Sequence, residues 1–324
     1  MRDLPLVSII TPFYDPSPAF MGQAIESILQ QDFTDWELLL VDDGSAGESS
    51  ALARAYAETY RDRIRYLEHP EHINRGKSAS RNLGIRRAAG QYIAFLDADD
   101  VWLPHTLGEQ VELLDAQPNA AMLYGNTEYW YSWTGKPADT GRDFVPALGV
   151  PPNTLIQPPA LAPLFLEGRA VVPCPCSLLV RRQAVEDLGG FEDAFRMLYE
   201  DQVFYFKICL HSRVFVSGRC WGRYRQHPEA STQKAAKDGQ DESARLAFLN
   251  WLEGYLREGQ IHDLEVWQAL RRQMWLARAP AWQGRLARAR RWVRWVRKWV
   301  LHLERRSLPP TFRRWLWLRR EGNG

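Results

Sequence analysis

Asp97, Asp99 and Asp100 follow directly on an apolar run, Tyr92 to Leu96, within the stretch GKSASRNLGIRRAAGQYIAFLDADDVWLP. Carboxylate oxygens held at the end of a buried strand suit a hard divalent cation, Mg²⁺ or Mn²⁺, and such a cation suits a diphosphate. The same Asp-x-Asp pattern also makes turns and caps helices, so the spacing alone leaves both readings open. Gly76, Lys77 and Ser78 have the residue types of a phosphate loop. A Walker spacing, however, needs glycine at position 71, where Glu71 stands, and no G-x-G-x-x-G follows a strand. ATPase and dinucleotide-binding readings weaken accordingly.

The elements that must position these carboxylates read as alternating strands and helices. Leu6 to Thr11, Glu37 to Val41, Ile64 to Leu67 and Tyr92 to Leu96 are short apolar runs. Helical spacing marks Ala19 to Gln30, a segment through Tyr60 with Ser45 as its cap, and Lys77 to Ala89. That alternation predicts an α/β fold, a doubly wound, mostly parallel sheet whose strand ends share one edge. A further helix is expected over Leu107 to Ala116 and a strand over Ala120 to Tyr129. Irregular chain then runs from Tyr131 to Pro175. Beyond it come a strand at Ser177 to Arg181, a helix from Tyr199 to His211, and closing strands at Val214 to Val216 and Trp221 to Arg225. Trp130, Tyr131 and Trp133, at the start of the irregular stretch, have the chemistry to stack on sugar rings or simply to pack.

The chain's 324 residues, 25% charged and 45% hydrophobic, belong to an ordinary globular protein with ample core. Its charge is uneven. Arg285 to Arg320 holds 13 Lys or Arg against one acid, Glu304, so the rest of the chain is acidic although the net is +2. Cys174, Cys176, Cys209 and Cys220 form no C-x-x-C pair and have no histidine at zinc spacing, so they read as reduced, mostly buried thiols. No signal peptide and no 18-residue apolar run is found, which predicts a cytoplasmic location.

Taken in order, SIITPFYD, LLLVDDGS, GKSASRN, FLDADD, GGF followed by YEDQ, and YRQHPEAS resemble the family 2 glycosyltransferases of GT-A (Rossmann-like) fold, over about residues 5 to 232. The resemblance implies that Pro12 and Tyr14 pack a nucleotide base and that Asp42 accepts a hydrogen bond from it. It places Arg81 near base or diphosphate and Asp97 near ribose and sugar. Asp99 and His227 are implied to hold Mn²⁺ or Mg²⁺, and Asp201 to be the catalytic base. A single displacement at an anomeric carbon needs such a carboxylate, because the acceptor hydroxyl loses its proton as the bond forms, and the leaving diphosphate gains charge that a cation offsets. The expected activity is therefore inverting, metal-dependent transfer from a nucleotide sugar, UDP-linked, to a hydroxyl of a glycan or lipid-linked glycan in bacterial surface polysaccharide or lipopolysaccharide assembly. Two alternatives remain: a polyprenyl-phosphate glycosyltransferase, whose acceptor needs no base, and a GT-A scaffold without turnover.

The expected catalytic domain is 1–232, followed by a helical region, 233–324. Over Leu286 to Arg305, Trp292, Val293, Trp295, Val296, Trp299, Val300 and Leu303 share one helical face. Arg290, Arg294, Arg297, Lys298 and Arg305 centre on the other. A basic face opposite tryptophan suits an anionic membrane surface. Docking on the catalytic domain is the competing reading. No nucleic-acid-binding module accompanies the charge, so no nucleic-acid partner is expected. The protein is thus expected to lie peripherally on the inner face of the cell membrane.

Overall fold

The computed structural model describes residues 4–230, 233–234 and 241–278. Two compact units divide the chain, Met1–Leu270 and Arg271–Gly324, and the first carries the features that follow, apart from the end of the last helix. The basic amphipathic segments expected beyond Arg285 lie outside the described residues.

The chain opens β1 (Val7–Phe13), α1 (Pro18–Leu29), β2 (Trp36–Asp42), α2 (Glu48–Thr59), β3 (Ile64–Glu68), α3 (Lys77–Arg87), β4 (Tyr92–Phe95). All residues of β1, β2 and β4 are buried, as expected of parallel strands covered on both faces. Pro18 starts α1 where its missing N–H costs nothing. Ser45 does not cap α2 as expected. That helix begins two residues later behind Gly47, and the Ser45 hydroxyl instead accepts the Asp15 N–H at 3.0 Å. Gly84 lets α3 lie directly on the sheet, since a Cβ there would stand 2.6 Å from Cγ2 of Ile10.

Next come β5 (Val101–Trp102), α4 (Thr106–Asp115), β6 (Ala120–Trp130), β7 (Thr154–Ile156), α5 (Leu161–Leu166), β8 (Leu178–Arg181), α6 (Arg182–Asp187), α7 (Glu200–His211) and β9 (Arg213–Arg225). The helices α8 (Asp241–Glu258) and α9 (Leu264–Arg278) follow. The stretch from 131 to 175, expected to be irregular, therefore contains a short strand and a helical turn. The two expected closing strands are one strand, β9, which stays paired to β6 by absorbing register shifts.

The sheet runs in the order β3-β2-β1-β4-β8-β6-β9-β5, with β7 also on β9. The β3-β2-β1-β4 half is parallel, β8 is antiparallel to both its neighbours, and β9 returns parallel to β6. The doubly wound parallel sheet expected from the sequence is present as that first half. Helix α8 packs onto α7: Phe248 stacks on Tyr199, with centroids 5.1 Å apart, and meets Phe206 edge-on.

Candidate active site

Strands β1, β2 and β4 run parallel, so their C-terminal ends reach one sheet edge. A cleft of about 1210 Å³ opens there, with Pro12, Tyr14, Asp97, Asp99 and His227 among its lining residues. Tyr14 is 58% exposed and free to meet a planar ring. Asp42 is not brought to the wall. It is fully buried, and its oxygens take the Ser45 N–H at 2.8 Å, the Ser50 hydroxyl at 2.5 Å and the Tyr66 hydroxyl at 2.8 Å. Asp43 lines the cleft in its place and clasps the Arg75 and Gly76 N–H groups at 2.8 and 3.0 Å. This grip sets the start of α3, where Gly76 at φ +92° leaves no room for a side chain against Arg196.

From α3, Lys77 and Arg81 reach the carboxylates. Arg81 is completely buried, donates to Asp97 Oδ1 at 2.9 Å and to Glu200 Oε1 at 3.3 Å, and has the Phe191 ring 5.1 Å away. Lys77 Nζ lies 3.3 Å from Asp97 and 3.9 Å from Glu200. Burial alone would raise the Asp97 pKa, but Lys77 and Arg81 overcome it and hold the carboxyl at about 2. Burial works against both cations, yet Asp97 and Glu200 raise their pKa values, so Lys77 and Arg81 keep their charge at neutral pH.

Asp201 stands next to this cluster, in the first turn of α7, and its case is opposite. Burial and then the charge of Glu200 push its carboxyl up to about 7, against the pull of Arg81 and of the Gln202 N–H, which it accepts at 2.7 Å. A carboxylate poised near neutrality is suited to take a proton from a hydroxyl. Tyr199, just before it, holds the left-handed backbone at φ +64°, unusual for a non-glycine residue, beneath its stack on Phe248.

Asp99 has a different set of neighbours. His227 Nε2 lies 3.0 Å from its Oδ2, and both side chains line the cleft. Arg225 fixes this corner from behind: its Nε donates to the Asp99 carbonyl at 2.7 Å and one terminal nitrogen to Gln23 at 2.7 Å. The guanidinium sits among the rings of Phe20, Trp130 and Trp133, at 4.3, 4.6 and 5.4 Å. Trp133 also donates to the Gln226 carbonyl at 2.9 Å, and Tyr131 lies under Arg142 at 4.2 Å. Of the two roles the sequence leaves open for these aromatic residues, packing is the one these contacts describe.

The donor chemistry fits a hard divalent cation. One oxygen each from Asp97, Asp99 and Asp100 lie within 4.8 Å of one another. Both Asp97 oxygens already face cations, and Asp100 is not among the cleft-lining residues, its oxygens meeting the Arg225 N–H and the Cys174 thiol, so Asp99 with His227 is the pair that would hold the ion in the cleft.

The structure thus brings Pro12, Tyr14, Asp97, Asp99 and His227 to one cleft, sets Arg81 and Asp201 beside it, and leaves Asp42 behind the wall. Sequence reasoning missed Lys77 and Arg225 and undervalued Glu200. Lys77 was visible as the GKS that failed the Walker spacing. Arg225 stands two residues before His227 in YRQHPEAS, with no local signal of its role.

The model of the family described as Glycosyl transferase family 2 matches residues 8–189. The chain is 30% identical over 191 residues to an O-antigen biosynthesis protein, RfbC, of Myxococcus xanthus, covering 59% of this chain and 13% of that one. It is 33% identical over 123 residues to UDP-Glc:alpha-D-GlcNAc-diphosphoundecaprenol beta-1,3-glucosyltransferase WfgD of Escherichia coli, covering 38% of this chain and 46% of the relative. The chain therefore spans less than half the length of either relative. Among solved structures, a mannosyltransferase of Pyrobaculum calidifontis in complex with GDP-Man and Mn²⁺ superposes with a TM-score of 0.58 at 18% identity, over 97% of this chain and 83% of that one. TarS of S. aureus with UDP-GlcNAc gives 0.56 at 20% identity, over 70% and 60%. At these identities the likeness is one of fold.

Proposed function

Because the chain belongs to glycosyl transferase family 2, we propose that it moves a sugar, with inversion, from a nucleotide sugar to a hydroxyl of a glycan or lipid-linked glycan. The product is part of a bacterial surface polysaccharide. One observation carries the reading: Asp201, pushed up to about 7, stands beside the ionic cluster of Asp97, Arg81, Lys77 and Glu200, of which Asp97 and Lys77 line the cleft.

In this mechanism Asp201 takes the proton from the acceptor hydroxyl as its oxygen attacks the anomeric carbon, and attack opposite the departing diphosphate inverts that centre. Lys77 and Arg81 fix Asp97 as a permanent anion against the sugar and ribose hydroxyls. Tyr14 and Pro12 offer the base a flat apolar wall. Asp99 and His227 would hold Mn²⁺ or Mg²⁺, which when bound supplies positive charge to the leaving diphosphate.

A UDP-linked donor is favoured by the relative named for UDP-Glc and the neighbour solved with UDP-GlcNAc. The neighbour solved with GDP-Man supplies the competing base. The sequence of Arg285 to Arg320 supports a peripheral seat on the anionic inner face of the membrane, where a lipid-linked acceptor would lie, with 1–232 as catalytic domain and 233–324 as the helical region that leads to it. Among the described residues no helix is long and apolar enough to cross a membrane.

Calorimetric titration of UDP and GDP, each with and without Mn²⁺, tests the reading. UDP is expected to bind only with the metal and to outcompete GDP. Failure of both nucleotides to bind with metal present would overturn it and leave a scaffold without turnover.

A further inference from the structure

The segment before β8, Pro173 to Ser177, brings two thiols against the carboxylate loop. Cys176 Sγ lies 3.2 Å from Cys174 Sγ, which in turn lies 3.8 Å from Asp100 Oδ2. One donor atom from each of the three residues falls within 4.8 Å of the others. None of them lines the cleft.

Asp100 is 1% exposed, and its two oxygens are treated unequally. Oδ1 accepts the Arg225 N–H at 3.0 Å, whereas Oδ2 faces a thiol, a weak donor, as its hydrogen-bond partner among the described residues. A buried carboxylate oxygen so poorly satisfied is costly, and Cys176 beside it is wholly buried. The frame around the thiols is fixed. The Cys176 carbonyl takes the Trp102 indole N–H at 2.7 Å and the Cys174 carbonyl the Ser177 hydroxyl at 3.0 Å. Gly222 closes over the sulfur, since a Cβ there would stand 3.0 Å from Cys176 Sγ.

We propose that Asp100, Cys174 and Cys176 form a binding site for a thiophilic divalent cation of the zinc class, separate from the Asp99 and His227 pair that faces the cleft. Two sulfurs and one oxygen select such an ion over Mg²⁺ or Ca²⁺, and a three-ligand set leaves the fourth tetrahedral position to water. On binding, each thiol and the Asp100 carboxyl, which burial favours in its protonated form, release their protons to solvent; two metal–sulfur bonds and one metal–oxygen bond form, with nothing oxidised or reduced. The ion gives Oδ2 a stronger partner than the thiol and staples the loop after β4 to the segment before β8.

The test is titration of Cd²⁺, a spectroscopic stand-in for zinc, into the full chain kept reduced, with excess Mg²⁺ to occupy oxygen-only sites. The expected result is an ultraviolet sulfur-to-cadmium charge-transfer band that saturates at one equivalent, with a rise in the unfolding temperature. Cys174→Ser should weaken binding about tenfold or more, while the band survives in Asp99→Asn. Absence of the band, an unchanged band in Cys174→Ser, or its loss in Asp99→Asn would overturn the proposal. Should Cys174→Ser fail to fold, the unmodified chain still decides: Cd²⁺ must slow alkylation of Cys174 by iodoacetamide, and an unchanged rate would overturn the proposal equally.

Discussion

Asp97 and Asp201 differ in what surrounds them, and this sets what each can do. Asp97 is held near 2 by two cations, so it never serves as a base at neutral pH. Asp201, pushed up to about 7, is the one that can. Asp201→Asn should lower the transfer rate about 10²- to 10⁴-fold while metal-dependent nucleotide binding persists; unchanged turnover would move the base elsewhere. In the unmodified chain, kcat should fall about tenfold per pH unit below about 7, as the base becomes protonated. Stability carries the opposite sign. A raised carboxyl pKa in the fold favours the protonated form, so this contribution is complete below the ordinary carboxylate range and is lost as pH rises through about 7. Urea unfolding across pH should show that slope, and the Asn variant should lack it. Arg225→Met removes the donor to the Asp99 carbonyl, and Mn²⁺ affinity is expected to drop about 10- to 100-fold, read by calorimetry. Asp97 and Asp99 were legible in the sequence because they end an apolar run, whereas Asp201 was legible only through the resemblance carried by YEDQ. Their partners were not: Arg81 meets Glu200 across 119 positions and Arg225 meets Asp99 across 126, and no local spacing encodes such pairs.

At the level of elements, the parallel half of the sheet was readable because its strands are continuous apolar runs between helical periods. What failed were features decided by tertiary contact. Ser45 has the chemistry of a helix cap, yet its hydroxyl is claimed by the Asp15 N–H and the helix starts behind Gly47. Residues 217 to 220 read as a break, but pairing with β6 carries β9 through them. Asp42 and Asp43 are adjacent in sequence, but Asp42 ends β2 and turns to Tyr66, whereas Asp43 lies in the bend beyond the strand and grips the Gly76 turn. The helix-to-sheet fit gives its own prediction. Alanine normally improves a helix over glycine, but Gly84→Ala would press against Ile10, so it should destabilise by about 1–3 kcal/mol, measured by denaturant unfolding. A gain in stability would show that α3 can shift off the sheet.

For the whole molecule, opposite charges are divided along the chain, acidic before Arg285 and basic after it. Deleting Arg285 to Gly324 should abolish co-sedimentation with anionic vesicles while donor hydrolysis stays within about twofold, given that surface changes far from a site are usually mild. Unchanged vesicle binding would place the membrane contact elsewhere. A last consequence follows from the place of β9 in the sheet. It enters between β6 and β5, both made earlier, and only beyond its end does His227 meet Asp99, 128 positions back. During synthesis, therefore, the eleven residues of β6 must wait with one edge bare until β9 emerges, an interval in which the nascent chain is open to misassociation. Over the same interval the nascent chain also lacks the Asp99–His227 pair proposed to hold the cation.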